Sequence, residues 1–171
     1  MRPSSLLLSL LPFLPAAALA NPPRLAPANP RIDMPGYLRL AHQAAAHRAG
    51  RRVDEAEFIR LSREAGTVIV DARSREKYDL LHVRGAVNLS FPDITAASLE
   101  RLLPDKATRV LIYCNNNFEG APVAFATKMA PASLNLSTYI ALYTYGYRNL
   151  HELAPLLDVR TTRIELVPSA P

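Results

Sequence analysis

Short apolar runs of strand length recur along this chain with helix-length segments between them, and few folds accept that rhythm. The runs are Thr67-Val68-Ile69-Val70, Ala86-Val87-Asn88-Leu89, Val110-Leu111-Ile112-Tyr113 and Tyr139-Ile140-Ala141-Leu142-Tyr143. Rich in β-branched and aromatic residues, they suit strands covered on both faces. Between them, Asp54 and Glu57 make a capping-box-like start to a helix that carries Phe58, Ile59 and Leu61 and stops at Gly66. Ala96 to Leu103 predicts a second helix, with Leu99, Leu102 and Leu103 on one face and Pro104 as its stop. Asn149 to Glu152 is expected to cap a short helix before Pro155, and Thr162 to Val167 to add an edge strand. Alternation of this kind predicts an α/β fold, an open parallel sheet flanked by helices on both faces. Ligands of such sheets bind at the carboxyl ends of the strands.

Cys114 stands at such an end, in Tyr113-Cys114-Asn115-Asn116-Asn117-Phe118-Glu119-Gly120, and is the only cysteine of the chain. Ala121 to Ala130, with Pro122 in its first turn, predicts a helix after this loop. A sulfur at a helix N-terminus meets unpaired N–H groups and the positive end of the dipole, which favour a thiolate. Consecutive asparagines tolerate left-handed backbone angles and suit a tightly curled loop. The competing reading is a buried, inert cysteine followed by a polar turn.

The chain's 171 residues suffice for a real core, and 49% hydrophobic content excludes a disordered chain. The net charge is +5, but basic residues alternate with acids, as in Arg51-Arg52-Val53-Asp54-Glu55, so no nucleic-acid-binding stripe is expected. His42 and His47 lie five apart without a carboxylate partner and read as surface histidines; no metal site and no cofactor are expected.

The first twenty residues read as an address. Arg2, the apolar run Leu6 to Leu14 and the small residues ending Ala18-Leu19-Ala20 form a secretory signal peptide with cleavage expected after Ala20. The run is too short for a stable membrane anchor. Cleavage removes one Arg and no acid, leaving 19 basic and 15 acidic residues, a charge of +4. The expected location is secreted or periplasmic, where an unpaired thiol is reactive, intermolecularly paired or well buried. Asn21 to Pro35 reads as a Pro-rich linker, residues 36–50 as an N-terminal helix centred on Tyr37 to Arg48 and ended by Gly50, and residues 51–168 as the main domain.

Three further motifs carry a family resemblance. Asp71-Ala72-Arg73, then Glu76, Tyr78 and His82-Val83-Arg84-Gly85-Ala86-Val87-Asn88, resembles the first signature of rhodanese-like domains. Val110 to Cys114 resembles the strand that delivers their catalytic cysteine, and Gly146-Tyr147-Arg148-Asn149-Leu150 their late Gly-aromatic turn. The match spans roughly Arg51 to Asp158. It implies the rhodanese fold, Cys114 as the catalytic residue carrying a persulfide sulfur, and Asn115 to Gly120 as the substrate-binding loop. Asp71, Arg73 and His82 are expected as structural signature residues: a turn and ion pair for the first two, a hydrogen-bonded imidazole for the third. Tyr139, Tyr143, Tyr145 and Tyr147 are expected on one packed sheet face.

The chain departs from the family pattern in its loop. No Arg or Lys stands between Cys114 and Pro122, although active sulfurtransferases of the family usually close the loop with a cation. The loop's length resembles that of dual-specificity phosphatases and arsenate reductases on the same fold, yet Gly120 takes the place of their phosphate-binding Arg. Glu119 adds a negative charge, and Leu81 stands where the family often has Gly. Three activities follow from these features: a sulfurtransferase moving sulfur from a small donor to a thiol or other nucleophilic acceptor, a binding or redox-sensing module with a protein partner, and a phosphatase or arsenate reductase. The first is favoured.

Overall fold

Side-chain caps mark where several helices begin. In the computed structural model, which describes residues 29–169, the Asp33 carboxylate accepts the Gly36 N–H at 2.8 Å and opens α1 (Met34–Ala49). After the short β1 (Arg52–Val53), Asp54 does the same for the Glu57 N–H at 2.8 Å, opening α2 (Glu55–Ser62). Next come β2 (Thr67–Asp71), α3 (Arg75–Leu80), β3 (His82–Val83) and β4 (Val87–Asn88). Thr95 and Ser98 cap each other's backbone N–H groups at the start of α4 (Ala96–Leu102). The chain continues through β5 (Arg109–Tyr113), β6 (Phe118–Glu119), α5 (Leu134–Thr144), β7 (Leu150–Leu153), β8 (Leu157–Asp158) and β9 (Leu166–Val167). The expected signal peptide, residues 1–20, and residues 21–28 of the linker lie outside the described residues.

Five strands form one parallel sheet in the order β1-β7-β5-β2-β4. Along the central β5, alternate residues enter opposite cores. Leu111 and Tyr113 pack with Phe58 and Leu61 of α2, together with Ile69, Phe118 and Phe125. Val110 and Ile112 pack on the other face with Leu99 of α4, Tyr139 and Leu142 of α5, and Ala44 of α1. The sheet is therefore parallel, central and covered on both faces by helices, as the alternation of elements predicts. α1 also meets a charge: Arg48 pairs with Glu152, which is buried on β7.

Three local expectations fail, each for a nameable reason. Tyr139 to Tyr143 is not a strand but part of α5, whose buried stripe is Asn135, Thr138, Tyr139 and Leu142. That i, i+3, i+4, i+7 spacing is helical, and the polar Asn135 and Thr138 hide it from a hydrophobicity pattern. Asn149 to Glu152 does not cap a helix: Leu150 to Leu153 pairs with β5 in the register Val110↔Leu150 and with β1 through Arg52↔Glu152. Tertiary strand pairing overrides the local preference here. Ala121 to Ala130 contains one turn closed by the Phe125 N–H on the Ala121 carbonyl, 2.8 Å, and no α-helix.

The tyrosines change accordingly. Tyr139 and Tyr147 are fully buried, Tyr143 is half-buried on α5, and Tyr145 is exposed beyond the helix end. His42 is exposed, whereas the half-buried His47 bonds the Tyr139 hydroxyl at 2.8 Å. The expected edge strand shrinks to β9, which pairs antiparallel with β3 outside the main sheet.

Candidate functional site

The cysteine loop is built around one asparagine side chain. Asn117 Oδ1 accepts the Cys114 N–H at 2.9 Å, and its Nδ2 donates to the carbonyls of Leu153 at 2.8 Å and Pro155 at 3.2 Å. The same Oδ1 accepts from Asn135 Nδ2 at 2.8 Å. One side chain thus joins the end of β5, the end of β7 and the first turn of α5. The Asn117 N–H closes a tight turn on the Cys114 carbonyl at 3.2 Å.

Two groups approach the sulfur. The Asn116 N–H lies 3.4 Å from Cys114 Sγ, and Ser133 Oγ lies 3.5 Å from it. Ser133 immediately precedes α5, but its side chain makes no capping bond to the helix. The positive end of α5 therefore reaches the cysteine with a hydroxyl in front of it. The helix at the site is α5, twenty residues downstream, and not a helix over Ala121 to Ala130. The thiol itself is fully buried.

Asn115 and Asn116 act through their amides and not through left-handed angles, since no non-glycine residue among those described has positive φ. Asn115 Nδ2 donates to the Ala126 carbonyl and to Asn116 Oδ1. Asn116 Nδ2 donates to the Lys128 carbonyl at 2.8 Å, and its Oδ1 accepts the Lys128 N–H at 3.0 Å. These bonds consume backbone groups that a helix over Ala121 to Ala130 would need, which explains its absence. Neither amide donates to the sulfur.

The remainder of the expected substrate-binding loop faces elsewhere. Phe118 is buried between Tyr113 and Phe125, with ring centroids 5.9 and 4.8 Å away. Glu119 is exposed on β6, which pairs with β8, and its charge acts on Arg160. Gly120 adopts φ +88°, and a Cβ there would stand 2.9 Å from Asp158 Oδ1 and 3.1 Å from Val159 Cγ2. Its glycine is a backbone requirement.

The signature residues form a separate buried knot. Arg73 pairs with Asp71 at 2.5 Å and donates to the carbonyls of Ala124 at 2.8 Å and Leu81 at 2.7 Å. Its guanidinium lies 4.1 Å from the Phe125 ring centroid. Tyr113 donates its hydroxyl hydrogen to Asp71 and accepts the Val83 N–H at 3.0 Å. Burial, reinforced by the Asp71 charge, pushes the Tyr113 phenol well above its ordinary range and keeps it a donor. His82 Nδ1 lies 2.8 Å from the Tyr78 carbonyl, and the two rings stack at 3.8 Å. No hydrogen bond joins Asp71, Arg73 or His82 to Cys114.

Two cavities flank the loop. One, of about 310 Å³, is bounded by Ala72, Ser74, Lys77, Ser90, Asn115 and Lys128. The other, of about 200 Å³, is bounded by Arg48, Arg52, Asn116, Ser133, Asn135 and Glu152. Cations thus approach the loop from α1, β1 and α3, though none lies within it. No cluster of three or more His, Cys, Asp or Glu residues suited to a metal occurs among the described residues. Ser133 and Asn135 escape sequence reasoning because no motif or spacing links them to Cys114.

Comparison with known proteins agrees with this architecture. No curated protein sequence matches the chain. A rhodanese from E. coli is 22% identical, covering 60% of this chain and 99% of its own, with a TM-score of 0.41. A Bacillus halodurans protein is 19% identical, covering 77% and 87%, with a TM-score of 0.49. A thiosulfate sulfurtransferase from Pseudomonas aeruginosa is 16% identical and covers 78% of this chain but 24% of its own, with a TM-score of 0.51. At that identity, the likeness concerns the fold. The family model described as rhodanese-like domain matches residues 54–153, from the cap of α2 to the end of β7, and with Cys114 at the tip of its central strand this chain belongs to the rhodanese-like domain family.

Proposed function

We propose that the protein is an exported sulfurtransferase that carries sulfane sulfur as a persulfide on Cys114. The observation that carries this reading is the seat of the sulfur: at the carboxyl end of β5, with the Asn116 N–H at 3.4 Å and the Ser133 hydroxyl at 3.5 Å. A thiolate, or the inner sulfur of a persulfide, accepts hydrogen bonds from both. The Cys114 thiolate attacks the outer sulfur of a donor R–S–S–H, forming one S–S bond as the donor's own S–S bond breaks and RS⁻ leaves. An acceptor thiolate then attacks the terminal sulfur, and Cys114 departs as thiolate. Two S–S bonds form, two break, and no external oxidant or reductant is needed.

The loop's lack of a cationic side chain points to weakly charged donors. A dianion such as thiosulfate or a phosphomonoester is best held by paired charge-assisted hydrogen bonds, each contributing about 1.5–3 kcal/mol. Organic persulfides and polysulfides need less. Intact-mass measurement after incubation with an organic persulfide is expected to show one added sulfur atom, lost in Cys114→Ser. The outcome that sinks the reading is no sulfur gain from persulfide, polysulfide or thiosulfate.

Complete burial of the thiol favours a second reading, a binding or redox-sensing module on the same fold. Sulfur delivery from the Cys114 persulfide to an added thiol acceptor, followed by intact mass, decides between them, because a module of that kind has no transfer step. Export rests on the pattern of residues 1–20; sequencing of the mature N-terminus is expected to begin at Asn21. Met1 on a protein retained inside the cell would refute it.

A further inference from the structure

Cys114 is fully buried, so in this conformation no sulfur donor or thiol reaches its sulfur. Something must move, and the surrounding elements differ in how they are held. The strand beneath is central to the sheet. The cysteine turn is tied down by Asn117 to Leu153 and Pro155, and by Phe118 in the core. α5 buries Asn135, Thr138, Tyr139 and Leu142.

The segment 126–133 is held in a different way. Every residue from Ala126 to Ala132 is exposed, and Met129 is 79% so. None of their side chains contributes to either core. Buried residues bound the segment on both sides, Phe125 before it and Asn135 just after it. Between them, polar contacts fasten it to the cysteine loop: the Ala126 carbonyl to Asn115, the carbonyl and N–H of Lys128 to Asn116, and Ser133 Oγ against the sulfur. The Asn116–Lys128 pair is itself exposed to solvent.

This segment also contributes walls to both cavities. Ala126 and Lys128 wall the 310 Å³ cavity next to Asn115, whereas Ala130 and Ser133 wall the 200 Å³ cavity next to Asn116. We propose that residues 126–133 are a lid over Cys114, latched by Asn115 and Asn116, and that the two cavities are halves of one substrate cleft that its lifting joins. Phe125 anchors one end and the start of α5 the other. The asparagines that follow the cysteine thus govern access to it, a role distinct from contacting substrate.

Access can be measured without reference to sulfur transfer. Native protein is labelled at Cys114 with iodoacetamide, and the rate is compared with that of Asn116→Ala, which removes the exposed latch, and Leu61→Ala, which weakens the remote core under α2. Loss of the two solvent-exposed hydrogen bonds to Lys128, with that from Asn115 Nδ2 to Asn116 Oδ1, is expected to speed labelling about tenfold. Leu61→Ala is expected to leave the rate unchanged while lowering thermal stability. Equal rates for Asn116→Ala and the parent, or rates that follow global stability, overturn the lid. Should Asn116→Ala not fold, hydrogen exchange on the parent decides. The Lys128 amide is expected to exchange through local opening, well ahead of the β5 amides, and exchange as slow as theirs overturns the proposal. Fast labelling without sulfur uptake would leave the lid standing and remove only the sulfurtransferase reading.

Discussion

The hydroxyl oxygen of Ser133 lies 3.5 Å from the sulfur of Cys114, although 19 positions separate the two residues in the chain. Its approach follows from two features of the fold: α5 begins immediately after Ser133, and Asn135 in its first turn is bonded to Asn117 of the cysteine loop. When the sulfur reacts as a thiolate, a hydrogen bond from this hydroxyl contributes about 1.5–3 kcal/mol.

Ser133→Ala is accordingly expected to slow sulfur uptake by about ten- to hundredfold, because each 1.4 kcal/mol corresponds to about tenfold in rate. Melting temperature should hardly change, as the hydroxyl makes no cap to α5. Persulfide formation followed by intact mass against time checks this. An unchanged rate would assign the hydroxyl no part in the chemistry.

Asp71→Asn should destabilise the protein by about 3–5 kcal/mol, the usual cost of stranding a buried charge, here the guanidinium of Arg73. Replacing both, as Asp71→Asn with Arg73→Met, should recover part of that loss. Urea unfolding of the two variants measures the difference. A loss below about 1 kcal/mol would mean that water reaches the pair.

Acid should loosen the packing of α1 on α5. Burial, with Arg51 and Arg148 nearby, holds His47 below its ordinary value, and burial pushes Tyr139 up to about 12, so a neutral phenol and a neutral imidazole share the hydrogen bond at pH 7. His151 is also lowered, by burial first and then by Arg51 and Arg109. A histidine with a depressed folded-state pKa binds its proton more readily in the unfolded chain. Stability is therefore undiminished above about pH 6.5 and falls as pH drops below it. Thermal melts from pH 8 to 5 should show this acid limb, and His47→Leu should weaken it without removing the part due to His151. An identical limb in His47→Leu would disprove the assignment.

Gly120→Arg should fail to create a phosphatase. Left-handed φ and the 2.9 Å approach of Asp158 make any side chain there strained, at about 1–3 kcal/mol. Phosphomonoester turnover by this variant that depends on Cys114 would contradict the loop geometry. Glu119→Gln should leave thiosulfate use unchanged, since Glu119 is exposed beside Arg160 and borders neither cavity. Assay of sulfite release by this variant tests that half.

Where residue pattern and tertiary environment agree, the chain could be read directly. The runs at Thr67 and Val110 became β2 and β5, paired in parallel, because a fully apolar run with alternating faces suits a strand covered on both sides. Asp54 capped α2 as its spacing with Glu57 implies. The placement of Cys114 at the carboxyl end of the central strand followed from the same arithmetic.

Other features depended on partners far along the chain. β7 is a strand because β1 and β5 offer it hydrogen bonds on both sides, whatever Asn149 to Glu152 prefers locally. α5 buries Asn135 and Thr138, which disguise its helical period. Ala121 to Ala130 has good helical composition, yet Asn115 and Asn116 take its backbone groups and fasten part of it to the cysteine loop. The sequence by itself determined the parallel α/β sheet and the strand that ends on Cys114, since both follow from local apolar periodicity. Only the tertiary structure decided what surrounds that sulfur, because Ser133 meets it directly, while Asn135 and the 126–128 backbone meet the asparagines of its loop, through hydrogen bonds between residues distant in the chain, which leave no periodic trace.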